Sequence, residues 1–120
     1  MPRKQKQRRS VCPVACTLDV LGDKWTLIVI RDLLCGRASF QEFLESPERI
    51  ATNILSDRLA RLVGSGLVET APSTVRSDRH TYRLTSRGRA LTPVLEAIRD
   101  WGLAHIPGTQ ARLLPRAAEQ

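Results

Sequence analysis

From Pro13 onward the apolar positions recur with a helical period. Val14, Leu18 and Leu21 fall four and three residues apart, Pro13 suits a first helical turn, and Gly22 closes this short helix. Asp23 is placed to cap a second helix, in which Trp25, Ile28, Val29, Asp32 and Leu33 repeat until Gly36. Its apolar residues surround most of the axis, which predicts the central core helix. Ser39-Phe40-Gln41-Glu42 is a capping box that opens a short helix containing Phe43 and Leu44, and Ser46-Pro47-Glu48-Arg49 breaks it. A fourth helix is predicted from about Thr52 to Gly64. Its Leu55, Leu59 and Leu62 face inward, Asn53, Asp57 and Ala60 point the opposite way, and Thr52, Ser56 and Arg61 lie on the flanks.

After Gly64-Ser65-Gly66 the period drops to two. Leu67-Val68-Glu69-Thr70 reads as a strand, Pro72-Ser73 and Ser77-Asp78 carry turn chemistry, and His80-Thr81-Tyr82-Arg83-Leu84 alternates as the return strand. Thr85 then caps a final helix with Leu91, Val94, Leu95, Ile98 and Trp101 on one stripe, ending near Ile106. Pro93 costs that helix up to ~3 kcal/mol unless it lies near a first turn or marks a kink.

Composition narrows the class. The 120 residues suit one domain with one core, and 42% apolar against 26% charged is too apolar for a wholly disordered chain. The longest uninterrupted apolar run is Leu27-Ile28-Val29-Ile30, far short of the ~20 residues that span a bilayer. The start of the chain lacks the apolar block of a secretory signal, so a cytoplasmic protein is expected. Net charge is +7, concentrated in two places: five bases and no acid in residues 1–9, and five arginines against Asp78 alone from Arg76 to Arg89. Two separate basic elements fit a polyanionic partner, against the alternative of a solvated tail and a solvated loop.

The expected fold is α+β and mostly helical, a winged helix-turn-helix with an added N-terminal helix and a long C-terminal dimerisation helix. Residues 1–10 form a flexible basic arm, 11–106 the DNA-binding and dimerisation domain, and 107–120 a frayed tail. In this architecture the fourth helix enters a DNA major groove about 12 Å wide, and the hairpin reaches phosphates or the adjacent minor groove. The candidate contacts are Thr52, Asn53, Ser56, Asp57, Arg58 and Arg61 on the helix, with Arg76, Arg79 and His80 on the wing. Arg58 and Arg61 have a second reading, as partners of neighbouring carboxylates. Val14, Leu18, Leu21, Leu91, Leu95, Ile98 and Trp101 offer more apolar surface than one small core covers, which predicts a homodimer through the first and last helices.

The residues also resemble a known family, the HxlR-type bacterial transcriptional regulators. The matching segments are Cys12-Pro13-Val14, Leu18 to Leu27 with its Gly-x-Lys-Trp-Thr, Ile54-Leu55-Ser56-Asp57-Arg58-Leu59, Gly66-Leu67-Val68, Tyr82-Arg83-Leu84-Thr85 and Asp100-Trp101-Gly102. They occur in one unbroken order over roughly residues 11–103. The resemblance implies a homodimeric winged-helix protein that binds double-stranded DNA and regulates genes in response to small molecules or redox stress. Two departures stand beside it. Ala51-Thr52 replaces the usual Ser-Pro before the fourth helix, leaving Thr52 as the expected substitute cap, and Arg76-Ser77-Asp78-Arg79-His80 stands where a Pro-Pro pair is frequent.

Cys12 precedes a helix start, where backbone N–H groups and nearby Arg8 and Arg9 favour a thiolate. Matching cysteines in some similar regulators act as redox or electrophile sensors, so the resemblance makes Cys12 a candidate, with a buried, unreactive cysteine as the alternative. Three cysteines and two histidines without C-x-x-C or H-x₃-H spacing predict no metal site, and no cofactor motif is present. Catalysis is not expected, because His80 and His105 stand without a nucleophile elbow, phosphate loop or metal ligands. The alternative to an operator-specific regulator is a winged-helix nucleic-acid or protein-binding module without operator specificity, since the same basic wing serves both uses.

Overall fold

The computed structural model describes residues 8–72 and 80–115. Along the chain these form α1 (Pro13–Leu21), α2 (Thr26–Leu34), α3 (Phe40–Leu44), α4 (Thr52–Gly64), β1 (Val68–Pro72), β2 (His80–Leu84), α5 (Ser86–Arg89) and α6 (Thr92–His105). The mixed architecture, helices around one small antiparallel sheet, is the predicted winged helix-turn-helix order.

The core gathers on α2, as its apolar circumference requires. Val29, Ile30 and Leu33 pack with Phe43 of α3, Ile50 of the following turn, Leu55, Leu59 and Leu62 of α4, Val68 and Leu84 of the sheet and Leu95 of α6, all buried. Each fully buried side chain of this size contributes about 1.5–3 kcal/mol. Leu21 and Leu95, expected at a dimer face, belong to this core instead, and Leu91 packs half-buried against it. Periodicity put them on the right stripes, but the stripes turn partly inward.

Local chemistry sets the element ends. The capping box forms as predicted: Ser39 Oγ accepts from Glu42 N at 3.2 Å, and Ser39 N donates to Glu42 Oε1 at 2.9 Å. At α4 the expectation fails. Ala51 is the N-cap and Thr52 the first helical residue, so no side chain caps the helix. Gly66, at φ 78°, turns the chain from α4 into the sheet, a conformation open to glycine at little cost. The strands pair from Val68 with Leu84 to Pro72 with His80, so Pro72 is a strand residue where turn chemistry was expected. Tyr82 N donates to Ala38 O at 2.8 Å, and its ring meets Phe43 at 6.1 Å, which docks the hairpin against the start of α3.

The final helix is two helices. Thr85 Oγ1 accepts from Gly88 N at 3.2 Å and caps α5, which ends at Arg89; α6 begins at Thr92. Pro93 therefore lies in a first turn, where its missing N–H costs nothing. The frayed tail is corrected as far as residue 115. Arg99 donates through Nη1 to Leu114 O at 3.2 Å and Pro115 O at 3.3 Å, and Leu114 packs against the core.

Candidate nucleic-acid interface

The turn before α4 is held by a charged clamp. Arg31 of α2 donates through Nη1 and Nη2 to the two carboxylate oxygens of Glu48, both at 2.8 Å, and through Nη2 to Ser46 Oγ at 2.8 Å. The same guanidinium bonds Asp32 through Nε at 3.1 Å and Nη2 at 2.8 Å. Asp32 and Ser46 are buried, so the arrangement meets the requirement that buried polar groups be hydrogen-bonded. The bonds from Arg31, opposed by partial burial, lower the Glu48 carboxyl to about 2. Burial opposes the charge of Arg31, but its bonds to Glu48 and Asp32 outweigh that and raise its pKa further.

The outer face of α4 divides in two. Thr52, Asn53 and Ser56 are exposed, and their side chains make no hydrogen bond to another described residue. Asp57, Arg58 and Arg61 form a cluster: Arg61 Nε lies 3.0 Å from Asp57 Oδ2, Arg58 Nη1 also donates to Asp57, and Arg58 Nε donates to Asp23 Oδ1 at 3.0 Å. Arg58 is only 18% exposed, so its second reading describes it better than the first. Arg61 remains 67% exposed despite its partner, and an exposed pair of this kind contributes roughly 0–1 kcal/mol.

Asp23 unites α2 with α4. It accepts from Trp25 N at 2.8 Å, Thr26 N at 2.9 Å and Thr26 Oγ1, besides Arg58. Partial burial works against its charge, but the bonds from Thr26, Trp25 and Arg58 prevail and hold the carboxyl well below the usual range. The sequence revealed the cap; the bridge to Arg58 it did not reveal.

On the hairpin, Arg83 is matched across the strands by Glu69, Nε to Oε1 at 2.8 Å, and His80 is exposed at the last registered pair. Arg76 and Arg79 lie outside the described residues. Of the basic arm, Arg8 and Arg9 are described. Arg9 folds onto α1, donating to Asp19 Oδ1 at 2.7 Å and Ala15 O at 3.3 Å.

Cys12 is the N-cap of α1 and exposed. The backbone N–H groups of Ala15 and Val14 lower its thiol pKa, and the guanidinium of Arg9 is committed elsewhere. Cys16 Sγ donates to Ser10 O at 3.2 Å, and all three cysteines are free. Among the described residues no group of three or more His, Cys, Asp or Glu could hold a metal ion, and no helix is long and apolar enough to cross a membrane. Exposed apolar side chains collect on α1 and α6: Val14, Leu18, Val94, Ile98 and Trp101.

Comparison with known proteins follows the same lines. The sequence profile described as HxlR-like helix-turn-helix matches residues 20–110. YdeP of Bacillus subtilis strain 168, an uncharacterised HTH-type transcriptional regulator, is 34% identical over 91 residues, covering 76% of this chain and 71% of YdeP. The HTH-type regulator Rv3095 of Mycobacterium tuberculosis is 33% identical over 94 residues, 78% of this chain but 59% of that protein. Among solved structures, the candidate transcription factor PA1607 superposes with a TM-score of 0.80 at 42% identity, over 93% of this chain and 80% of that one. The redox regulator HypR in its oxidised form superposes with a TM-score of 0.70 at 32% identity, over 78% and 96% respectively.

Proposed function

We propose that this chain, which belongs to the HxlR-like helix-turn-helix family of transcriptional regulators, binds an inverted-repeat operator in double-stranded DNA as a homodimer. The observation that carries the proposal is the division of α4. Three short polar side chains, Thr52, Asn53 and Ser56, make no hydrogen bond to another described residue at the exposed start of a helix that Arg58 ties to Asp23 and whose preceding turn Arg31 holds through Glu48. Such side chains reach base edges, whereas arginines on the wing suit phosphate. The exposed apolar stripe on α1 and α6 supports pairing of two copies, and a two-fold axis then relates the two α4 helices.

Footprinting of genomic fragments with the purified chain tests the proposal. The expected pattern is a palindromic protection whose half-sites lie about one or two DNA turns apart. Uniform protection of all fragments would instead establish a binding module without operator specificity.

A second reading concerns the signal. Cys12 is exposed with a lowered thiol pKa, and a redox regulator is among the structural neighbours, which together support an oxidant-sensing role.

A further inference from the structure

We propose that the cavity beneath α1 binds a small organic acid, an apolar body carrying one carboxylate or sulfonate. The cavity measures about 470 Å³ and lies between α1, the start of β1 and the α5–α6 corner. That volume falls within the ~300–1,000 Å³ of small-molecule pockets. Its apolar wall is formed by Leu21, Leu67 and Leu91, and the guanidinium-bearing side chains of Arg8 and Arg87 line it as well. Asp19, the carboxylate in the lining, is already engaged by Arg9 at 2.7 Å. Neither Arg8 nor Arg87 has a carboxylate partner among the described residues, so the cavity carries two cations and an apolar wall without a matching anion. A planar guanidinium takes a carboxylate or sulfonate through paired N–H donors, while the leucines take the hydrocarbon.

Arg87 is held at this cavity by the fold. Thr85 Oγ1 donates to Gly66 O at 2.6 Å and caps α5, which fixes that helix to the end of the α4–β1 turn. Gly88 allows the close approach: a Cβ there would lie 2.1 Å from Leu67 O. Residues 87 and 67 are thereby brought to one wall. The same short helix carries the exposed Val14 and Leu18, so a ligand that sets the seating of α1 also sets the surface assigned to pairing. That consequence rests on the homodimer reading; binding of the acid does not.

The test uses the full chain without DNA. 1-Anilinonaphthalene-8-sulfonate, an apolar body with one sulfonate, is titrated by fluorescence beside the neutral N-phenyl-1-naphthylamine. Arg87→Gln and Arg8→Gln should each weaken the sulfonate roughly tenfold and change the neutral probe less than twofold, the loss of one charge-assisted contact. Arg89→Gln, on the same helix but lining a different cavity, should change neither. Benzoate should displace the sulfonate probe, and benzyl alcohol should not. Equal binding by wild type and Arg87→Gln overturns the proposal, as does an equal loss in Arg89→Gln. Because no operator is involved, failure here leaves the DNA reading standing, and a chain that recognises no operator still reports on the cavity.

Discussion

Arg58 Nε donates to Asp23 Oδ1 at 3.0 Å, a bond between residues 35 apart that ties the outer helix α4 to the capped start of α2. Asp23 satisfies the backbone N–H of Trp25, just before α2, and that of Thr26, its first residue, so one side chain sets both the helix start and the seat of α4. Asp23→Ala should destabilise the fold by about 2–5 kcal/mol, the sum of a lost cap and a charged hydrogen bond. Urea denaturation of Asp23→Ala, Arg58→Met and the double variant checks this. The two losses should be non-additive, with a coupling of roughly 0.5–1.5 kcal/mol; strict additivity would mean that the bridge contributes nothing.

Acid should loosen the turn before α4. Glu48 titrates near 2 in the folded chain against an ordinary value of 4.5, because Arg31 holds it. A depressed carboxylate stabilises fully above its unfolded pKa and loses that contribution as pH falls through the folded one. The Glu48 share of stability is therefore present above about pH 4.5 and disappears toward pH 2. Glu48→Gln should flatten the stability profile in that window, measured by urea midpoints at stepped pH. Arg31→Met should cost more at neutral pH, up to roughly 3–5 kcal/mol, since it leaves the buried carboxylate of Asp32 with only Arg37, 4.0 Å away.

What the sequence disclosed was governed by distance along the chain. The capping box at Ser39 and Glu42 was legible because both partners lie within one turn, and the paired strands because alternation and turn residues are local. The Arg31–Glu48 and Asp23–Arg58 bonds join residues 17 and 35 apart, and no local pattern announces them. Helical period placed Leu21 and Leu95 on the stripes of Val14, Leu18, Ile98 and Trp101, yet period cannot say which edge of a stripe a neighbouring helix covers. The break between α5 and α6 was half visible: Pro93 demanded a first turn nearby, but the run of apolar residues hid it. On α4 the free polar face was read correctly, while the inward turn of Arg58 depended on a carboxylate two helices earlier.

Exposure separates the residues proposed for pairing from the core residues on α6. Ile98 and Trp101 are 52% and 61% exposed, whereas Leu95, three residues before Ile98, is 6% exposed. Light scattering of the wild type at micromolar concentration should give twice 13.4 kDa. Ile98→Glu should give a folded monomer, since the charge disturbs only the shared surface. Leu95→Glu should instead unfold the chain, because it buries an unpaired carboxylate. A wild-type monomer, or an unchanged dimer in Ile98→Glu, would remove this face from the interface.

Cys12 should respond to oxidants before Cys16 does. The N–H groups of Ala15 and Val14 favour its thiolate, and its sulfur is exposed, whereas Cys16 is half-buried with its thiol bonded to Ser10 O. Mass spectrometry after limiting iodoacetamide should find Cys12 modified first among those two. Peroxide or a quinone should change the DNA affinity of the wild type, and Cys12→Ser should abolish that change. An unaltered response in that variant would assign the cysteine a structural role for those signals.

Specificity and affinity should separate on different elements. Thr52, Asn53 and Ser56 are exposed, short and without a side-chain hydrogen bond among the described residues, and Asn53 carries both a donor and an acceptor suited to a base edge. Arg76 and Arg79, which lie in sequence between the two strands and are expected on the wing, offer charge, which any sequence of phosphates accepts. Asn53→Ala should therefore cost roughly 1–3 kcal/mol on operator DNA and little on random DNA, whereas Arg76→Ala and Arg79→Ala should weaken both and each lower the salt slope by about one. Arg58→Ala belongs to neither class: its guanidinium is committed to Asp23 and Asp57, so its loss should appear first as lost stability. Arg61, largely exposed and sharing Asp57, should behave as a weak phosphate contact. Titrating operator and random duplexes at several salt concentrations, with thermal unfolding of each variant alongside, resolves these classes. The division fails if Asn53→Ala weakens both duplexes equally, or if the wing variants leave the salt slope where it was.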